Sequence, residues 1–205
     1  MSPTRRLTSR CWKPCPGWFL LEEHLNRLAA SGDYLGVPLD LEQVHGRLDA
    51  LASTFDASPR RVRLLVARNG VVSCEAALLP QSGERVRLAL AAGPIDRNDP
   101  FLYNKTTRRT VYDEARLMQP DGDDVVLWNE SGEITETTIA NLVIERDGRR
   151  VTPPVKCGLL PGVFRGHLLA RGDIVEEIVT HDELRASRIW VVNSVRKWRD
   201  AELVG

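Results

Sequence analysis

Apolar residues in the first half of this chain change their spacing between the helical pattern of residues 20–51 and the alternation that starts near residue 62. That change constrains the fold more than any other feature. Leu21, Leu25, Leu28 and Leu35 recur at intervals of three, four and seven, which puts them on one face of a helix over about 20–35. Gly32 and Gly36 suggest its end. Asp40 can cap a second helix with Gln43 reaching back, and Leu41, Val44, Leu48 and Leu51 line its buried side. Val62, Leu64 and Val66 then alternate with their neighbours, and Asn69-Gly70 predicts a tight turn with positive φ at both central residues. Residues 71–79 return as a strand, and Val86, Leu88 and Leu90 begin a third. The first half therefore reads as helices packed on an antiparallel sheet.

Gly93 to Pro100 has breakers at both ends and no apolar period, so the domain boundary is placed at 94–100, with domains over 1–93 and 101–205. The second half is denser in strands: 124–129, 133–139, 141–145, 150–152, 174–179 and 188–193. Turns are expected at Glu130-Ser131-Gly132 and Asp147-Gly148. A short helix is expected over 163–171 with Gly172 at its C-terminal cap, and Thr180 with Glu183 forms a capping box for another.

Charge narrows the function. The 28 basic and 28 acidic residues balance, so no overall field gathers nucleic acid or an anionic membrane. No apolar run approaches the ~18 residues needed to cross a bilayer, and the basic start lacks an apolar h-region. The cytoplasm is the expected location. Cys11 and Cys15 have no partner pair at zinc spacing, and His24, His45, His167 and His181 form no ligand spacing, so they read as surface or satisfied core histidines. No Walker loop or GxGxxG fingerprint is present. Bases are nearly all Arg; Lys occurs only at 13, 105, 156 and 197. A chain that prefers Arg can still keep Lys where an amine must shed its proton, which guanidinium cannot readily do.

Three stretches stand together in the second half. They are residues 129–144 (NESGEITETTIANLVI), 152–165 (TPPVKCGLLPGVFR) and 193–196 (NSVR). Their order and spacing resemble the class IV aminotransferase family, the fold-type IV pyridoxal-phosphate enzymes. These include branched-chain aminotransferases, D-amino acid aminotransferases and 4-amino-4-deoxychorismate lyases. Residues 104–109 (NKTTRR) look like the lysine segment of the lyases, and the likeness runs from about Phe19 to the C-terminus. The resemblance implies an α+β chain of two domains. The first is the helix-on-antiparallel-sheet layer and the second a strand-rich pseudo-barrel, with the cofactor in the cleft between them.

The resemblance also assigns residues. Pyridoxal phosphate needs an amine for its aldehyde, a partner for its ring nitrogen and a cradle for its phosphate. Lys105 matches the family's Schiff-base lysine, whose freed amine takes the substrate α-proton and must be neutral to do so. Glu136 matches the pyridine partner, with Glu133 the nearby alternative; a carboxylate there keeps the ring nitrogen protonated. Arg27 matches the phosphate arginine, in the pattern Glu-His-Leu-Asn-Arg-Leu. Gly162, Val163 and Phe164 open a helix whose N–H groups favour an anion. Leu160 matches the residue against the ring, Ser194 and Val195 match a second phosphate-side loop, and Asn141 completes the set within the first stretch. Relatives carry a longer first strand than residues 5–12 provide, so no substrate-binding residues carry over from there.

The resemblance implies a homodimer acting on a small amino substrate. The first expectation is a 4-amino-4-deoxychorismate lyase of folate synthesis, releasing pyruvate to give 4-aminobenzoate. The second is an aminotransferase acting on branched-chain or D-amino acids. The third is a non-catalytic relative kept as a binding module.

Overall fold

The computed structural model describes the backbone of residues 5–10 and, with side chains, residues 17–56, 58–79, 83 and 85–204. Cys11 and Cys15 lie outside the described residues. The chain divides into two compact units, Met1–Gln81 with Asn104–Arg108, and Ser82–Tyr103 with Arg109–Gly205.

In the first unit, β1 (Arg5–Arg10), β2 (Arg60–Val66) and β3 (Val72–Leu78) form an antiparallel sheet in that order. Helices α1 (Leu21–Leu35) and α2 (Leu41–Ala52) complete the layer. The two periods meet in one core: Leu25 and Leu28 of α1, Val44 and Leu48 of α2, and Val62, Leu64 and Val66 of β2. Burying each such side chain contributes about 1.5–3 kcal/mol. Gly36 caps α1, and Asp40 Oδ1 accepts from the Gln43 N–H at 3.1 Å. Only this half of a capping box is formed; no bond from the Gln43 side chain back to Asp40 is seen among the described residues.

The β2–β3 turn differs from expectation. Ala67 N–H donates to Val71 O, and Gly70 N–H donates to Ala67 O, each at 2.9 Å. Gly70 has φ 82°, whereas Asn69 is not among the positive-φ residues. The connection is a longer loop with one left-handed residue, and Asn69 instead accepts the Val71 N–H on Oδ1 at 3.2 Å.

In the second unit, β4 (Arg85–Leu90) leaves the first sheet, although its alternation reads as that sheet's third strand. It pairs in parallel with β5 (Asp124–Trp128) and β11 (Lys197–Leu203). β6 (Ile134–Thr137), β7 (Asn141–Arg146) and β10 (Ile189–Asn193) continue the sheet antiparallel, and β10 pairs with both β11 and β7. Those pairings close a ring of six strands, with β8 (Arg149–Thr152) and β9 (Val175–Glu176) extending it from β7. This is the strand-rich barrel that the motifs imply.

Val86, Leu88, Val126, Leu142, Ile189 and Val191 share the ring's core. Val125 and Leu127 face a second cluster, with Leu102 of α3 (Pro100–Tyr103) and Tyr112 of α4 (Thr110–Met118). β5 is thus covered on both faces, which explains its unbroken apolar run. Asp124 joins three elements: its Oδ1 accepts from the Thr138 hydroxyl at 2.5 Å and pairs with Arg116 of α4 at 3.3 Å. Helices α5 (Val163–Ala170) and α6 (His181–Ala186) follow, the latter with the capping box at Thr180 and Glu183.

Candidate active site

The β6–β7 hairpin is tight, with Thr137 N–H bonded to Ala140 O, so Glu136 and Asn141 stand directly opposite each other. Side chains at opposed positions touch. Asn141 Nδ2 donates to Glu136 Oε2 at 3.1 Å and to Leu160 O at 2.9 Å. Glu136 Oε1 accepts from the Leu160 N–H at 3.0 Å and from the Tyr112 hydroxyl at 2.8 Å. Glu136 is 4% exposed. A buried carboxylate with three donors is suited to keeping its charge. Tyr112 is held in its protonated form by burial and by the adjacent Glu136 charge.

Glu133 belongs to another cluster. It accepts from Asn129 Nδ2 at 2.7 Å and pairs with Arg97 at 3.6 Å, and these contacts hold its carboxyl below the usual range. Asn129 also donates to Cys157 O, while burial and the Glu133 carboxylate push the Cys157 thiol up to about 12. This corner braces the turn that leads to Leu160.

Gly162 N-caps α5 and contributes no capping side chain. The helix's own bonding begins with Gly166 N–H to Gly162 O, so its first turn leads with amides that the helix ladder does not use. Val163 and Phe164 are buried. In the 193–196 loop, Asn193 Oδ1 accepts from the Val195 and Arg196 amides at 3.0 and 2.8 Å, and Ser194 is buried.

In the first unit, Arg27 lies one helical turn beyond His24 on α1, and Lys105 lies on the 104–108 segment. Arg27 and Lys105 are both close enough to act on His24 by charge. His24 is 1% exposed, and neither ring nitrogen has a hydrogen-bond partner among the described residues. It is therefore neither a surface nor a satisfied core histidine, as its lack of ligand spacing had suggested. Burial, then the Arg27 and Lys105 charges, depress its pKa to about 3.

The residues fit pyridoxal phosphate. An unpartnered buried ring beside two basic side chains is what a bound anionic group would complete. A charged carboxylate in a fixed frame suits a protonated pyridine nitrogen. The structure unites Glu136, Asn141 and Leu160 by hydrogen bonds and sets Gly162 against Asn141. It groups Arg27 with Lys105 around His24. Tyr112 was not singled out in the sequence, and Arg109 entered only as the end of the 104–109 stretch, because α4 starts after Arg109 with no side-chain cap and shows one buried residue. Among the described residues, no cluster of His, Cys, Asp or Glu could hold a metal, and no helix is long and apolar enough to cross a membrane.

A closed strand ring carrying a buried glutamate held by hydrogen bonds, and a helix-on-sheet unit that includes the lysine segment, define a fold-type IV enzyme scaffold. The chain belongs to the class IV aminotransferase family, whose model (Amino-transferase class IV) matches residues 12–204. That family is one of pyridoxal-phosphate enzymes. The chain is 34% identical to a Schizosaccharomyces pombe protein named "Putative aminodeoxychorismate lyase", covering 87% of this chain and 81% of the relative. It is also 34% identical to the solved "Putative amino-acid aminotransferase" of Mesorhizobium loti, at a TM-score of 0.90 over 98% of this chain and 100% of that one. A Thermotoga maritima "Probable branched-chain-amino-acid aminotransferase" is 27% identical, covering 79% of this chain and 60% of the relative.

Proposed function

We propose that this chain binds pyridoxal phosphate and carries out the 4-amino-4-deoxychorismate lyase reaction, releasing pyruvate and leaving 4-aminobenzoate. The observation that carries cofactor binding is the buried Glu136 carboxylate fixed by Tyr112, Asn141 and Leu160. The lyase reading is supported by the Asn104–Arg109 stretch and by the Schizosaccharomyces pombe relative.

Pyridoxal phosphate, when bound, supplies an electron-withdrawing ring that stabilises negative charge at the substrate carbon beside the amine. Glu136 would accept a hydrogen bond from the protonated ring nitrogen. Arg27 binds phosphate oxygens in the bidentate manner of a guanidinium. His24, neutral and otherwise unpartnered, can hydrogen-bond the same group. The leading amides of α5 and Ser194 would add neutral donors for an anion, while the Val195 amide is already bonded to Asn193 Oδ1. Leu160 would pack against the ring. Lys105 Nζ would hold the aldehyde and, once the substrate's amine has displaced it, the freed Lys105 amine would take the proton from the substrate carbon next to that amine.

An aminotransferase is the second reading, favoured by the equal identity to the Mesorhizobium loti protein. There Lys105 returns the proton to a different carbon, and a 2-oxoacid receives the amino group. A homodimer in the cytoplasm is part of the proposal on the family resemblance alone, and sedimentation of the purified protein tests its assembly.

Two measurements test the function. Adding pyridoxal phosphate to the purified wild type should produce an imine-region absorption band that Lys105→Ala lacks; identical spectra would remove Lys105 from its role. Pyruvate release from 4-amino-4-deoxychorismate, set against 2-oxoacid-dependent amino transfer, then separates the two reactions.

A further inference from the structure

The contacts of Glu136 include one that its place on β6 does not require. Leu160 N–H and Asn141 reach it from the turn before α5 and from the opposed strand. Tyr112 comes from α4, which packs over β5, and its hydroxyl donates to Glu136 Oε1 at 2.8 Å, the same oxygen that accepts from Leu160 N–H. Tyr112 is only 7% exposed, so its hydroxyl takes no share of a full hydration shell. The ring itself is clamped. The Arg109 guanidinium carbon lies 4.6 Å from its centroid, and Arg109 Nη2 donates to Thr138 O at 2.5 Å, just beyond the end of β6. Thr138 in turn bonds Asp124 on β5. Arg109 thus ties the start of α4 to the hairpin that carries Glu136, and it sets the direction in which Tyr112 points.

We propose that Tyr112 is a positioning residue for Glu136, and that Arg109 clamps the Tyr112 ring so that its hydroxyl fixes the carboxylate for a protonated pyridine nitrogen. This rests on the reading of Glu136 as the ring-nitrogen partner. Two physical effects follow. A donor on Oε1 draws off part of the carboxylate's charge, so Glu136 accepts a hydrogen bond from the ring N–H without removing its proton. The same bond restricts rotation of the carboxylate, so less ordering is left for the cofactor to induce. A guanidinium over the ring face draws electron density from the phenol and makes its O–H a better donor. Tyr112 touches neither substrate nor cofactor in this role; it acts through Glu136.

The test compares two probes on the full-length protein, pyridoxal 5′-phosphate and its 1-deaza analogue, in which C–H replaces the ring nitrogen. Tryptophan fluorescence quenching gives both dissociation constants, with no turnover required. Wild type should prefer the natural cofactor, and Glu136→Gln should lose most of that preference. Tyr112→Phe should cut the preference about three- to tenfold, the net worth of one ordinary hydrogen bond, because the tyrosine acts on the ring nitrogen only through Glu136, while leaving the deaza affinity unchanged. Arg109→Gln leaves the hydroxyl in place and should cut it about two- to threefold, the low end of the worth of a cation–π contact, because the clamp acts through the tyrosine. The Tyr112→Phe/Glu136→Gln double variant should match Glu136→Gln alone.

Equal weakening of both probes by Tyr112→Phe would mark a merely structural tyrosine and overturn the proposal, as would an undiminished effect in the double variant. An unchanged preference in Arg109→Gln would remove the clamp. If Glu136→Gln keeps the wild-type preference, Glu136 is not the ring partner, and the reading beneath the proposal fails with it. Melting curves of Tyr112→Phe and Arg109→Gln confirm that each folds; the Arg109 arm still decides if the phenylalanine variant does not.

Discussion

Gly162 lies against the Asn141 side chain so closely that a β-carbon at position 162 would overlap Asn141 Oδ1. Asn141 cannot move aside without cost, because its Nδ2 bonds both Glu136 and Leu160 O. The glycine at the head of α5 is therefore tied to the carboxylate of β6 through one amide.

Gly162→Ala should displace that amide. Overpacking of a buried contact typically costs about 1–3 kcal/mol, and the lost Asn141 bonds add to it. The melting temperature should fall, and the affinity for pyridoxal phosphate should fall with it, because both the helix start and Glu136 are disturbed. A variant that melts and binds as wild type does would show that the hairpin and α5 can separate freely.

Glu136→Gln leaves no good orientation for the new amide. Its oxygen is needed where Tyr112 and Leu160 both donate, which turns its nitrogen toward Asn141 Nδ2, another donor. Rotating Asn141 to accept breaks its bond to Leu160 O. Either a buried N–H or the Leu160 carbonyl is left unpaired, at a cost of about 1–3 kcal/mol. Urea unfolding of the cofactor-free protein measures this; a loss under 0.5 kcal/mol, roughly the spread of neutral surface changes, would mean that the network relaxes.

How far this arrangement was legible in the sequence depends on whether a local signal exists. Val62, Leu64 and Val66 announce β2 because one face is buried and the other is not. Thr180 and Glu183 announce α6 because a capping box is a fixed spacing. The strand β11 escaped, since Lys197 to Asp200 are all partly exposed and show no alternation. β4 was read as a strand but assigned to the wrong sheet, because pairing partners more than a hundred residues away leave no local trace. The motif pointed to Glu136, and the structure places it in a buried polar frame. Tyr112 was invisible because its importance lies in a hydrogen bond across 24 residues. His24 was passed over because spacing alone cannot reveal that a buried ring lacks partners.

The capping box predicts a modest, local effect. Thr180 Oγ1 accepts from the Glu183 N–H at 3.4 Å, and the Thr180 N–H donates to Glu183 Oε2 at 2.8 Å. Glu183 also pairs with Arg146 of β7 at 2.7 Å. Thr180→Ala should destabilise by about 1 kcal/mol, the usual worth of an N-cap. Hydrogen exchange should rise in residues 181–186 and leave β2 and β3 of the first unit untouched.

His24 predicts a pH dependence with a definite sign. Its folded pKa of about 3 lies below the ordinary 6.5, because the ring is buried beside the Arg27 and Lys105 charges. Between those two values the unfolded chain takes up a proton that the folded chain refuses. Acid therefore favours unfolding: this stability is full above pH 6.5, shrinks as pH falls through the window, and is gone near pH 3. One proton corresponds to a slope of at most about 1.4 kcal/mol per pH unit. Urea melts of the cofactor-free protein between pH 6.5 and 5 isolate the effect, since most carboxylates titrate lower. His24→Gln should flatten the slope there by close to one proton. Equal slopes in wild type and variant would show that His24 is charged in the fold, and that its ring is not the buried neutral group that an incoming phosphate would meet.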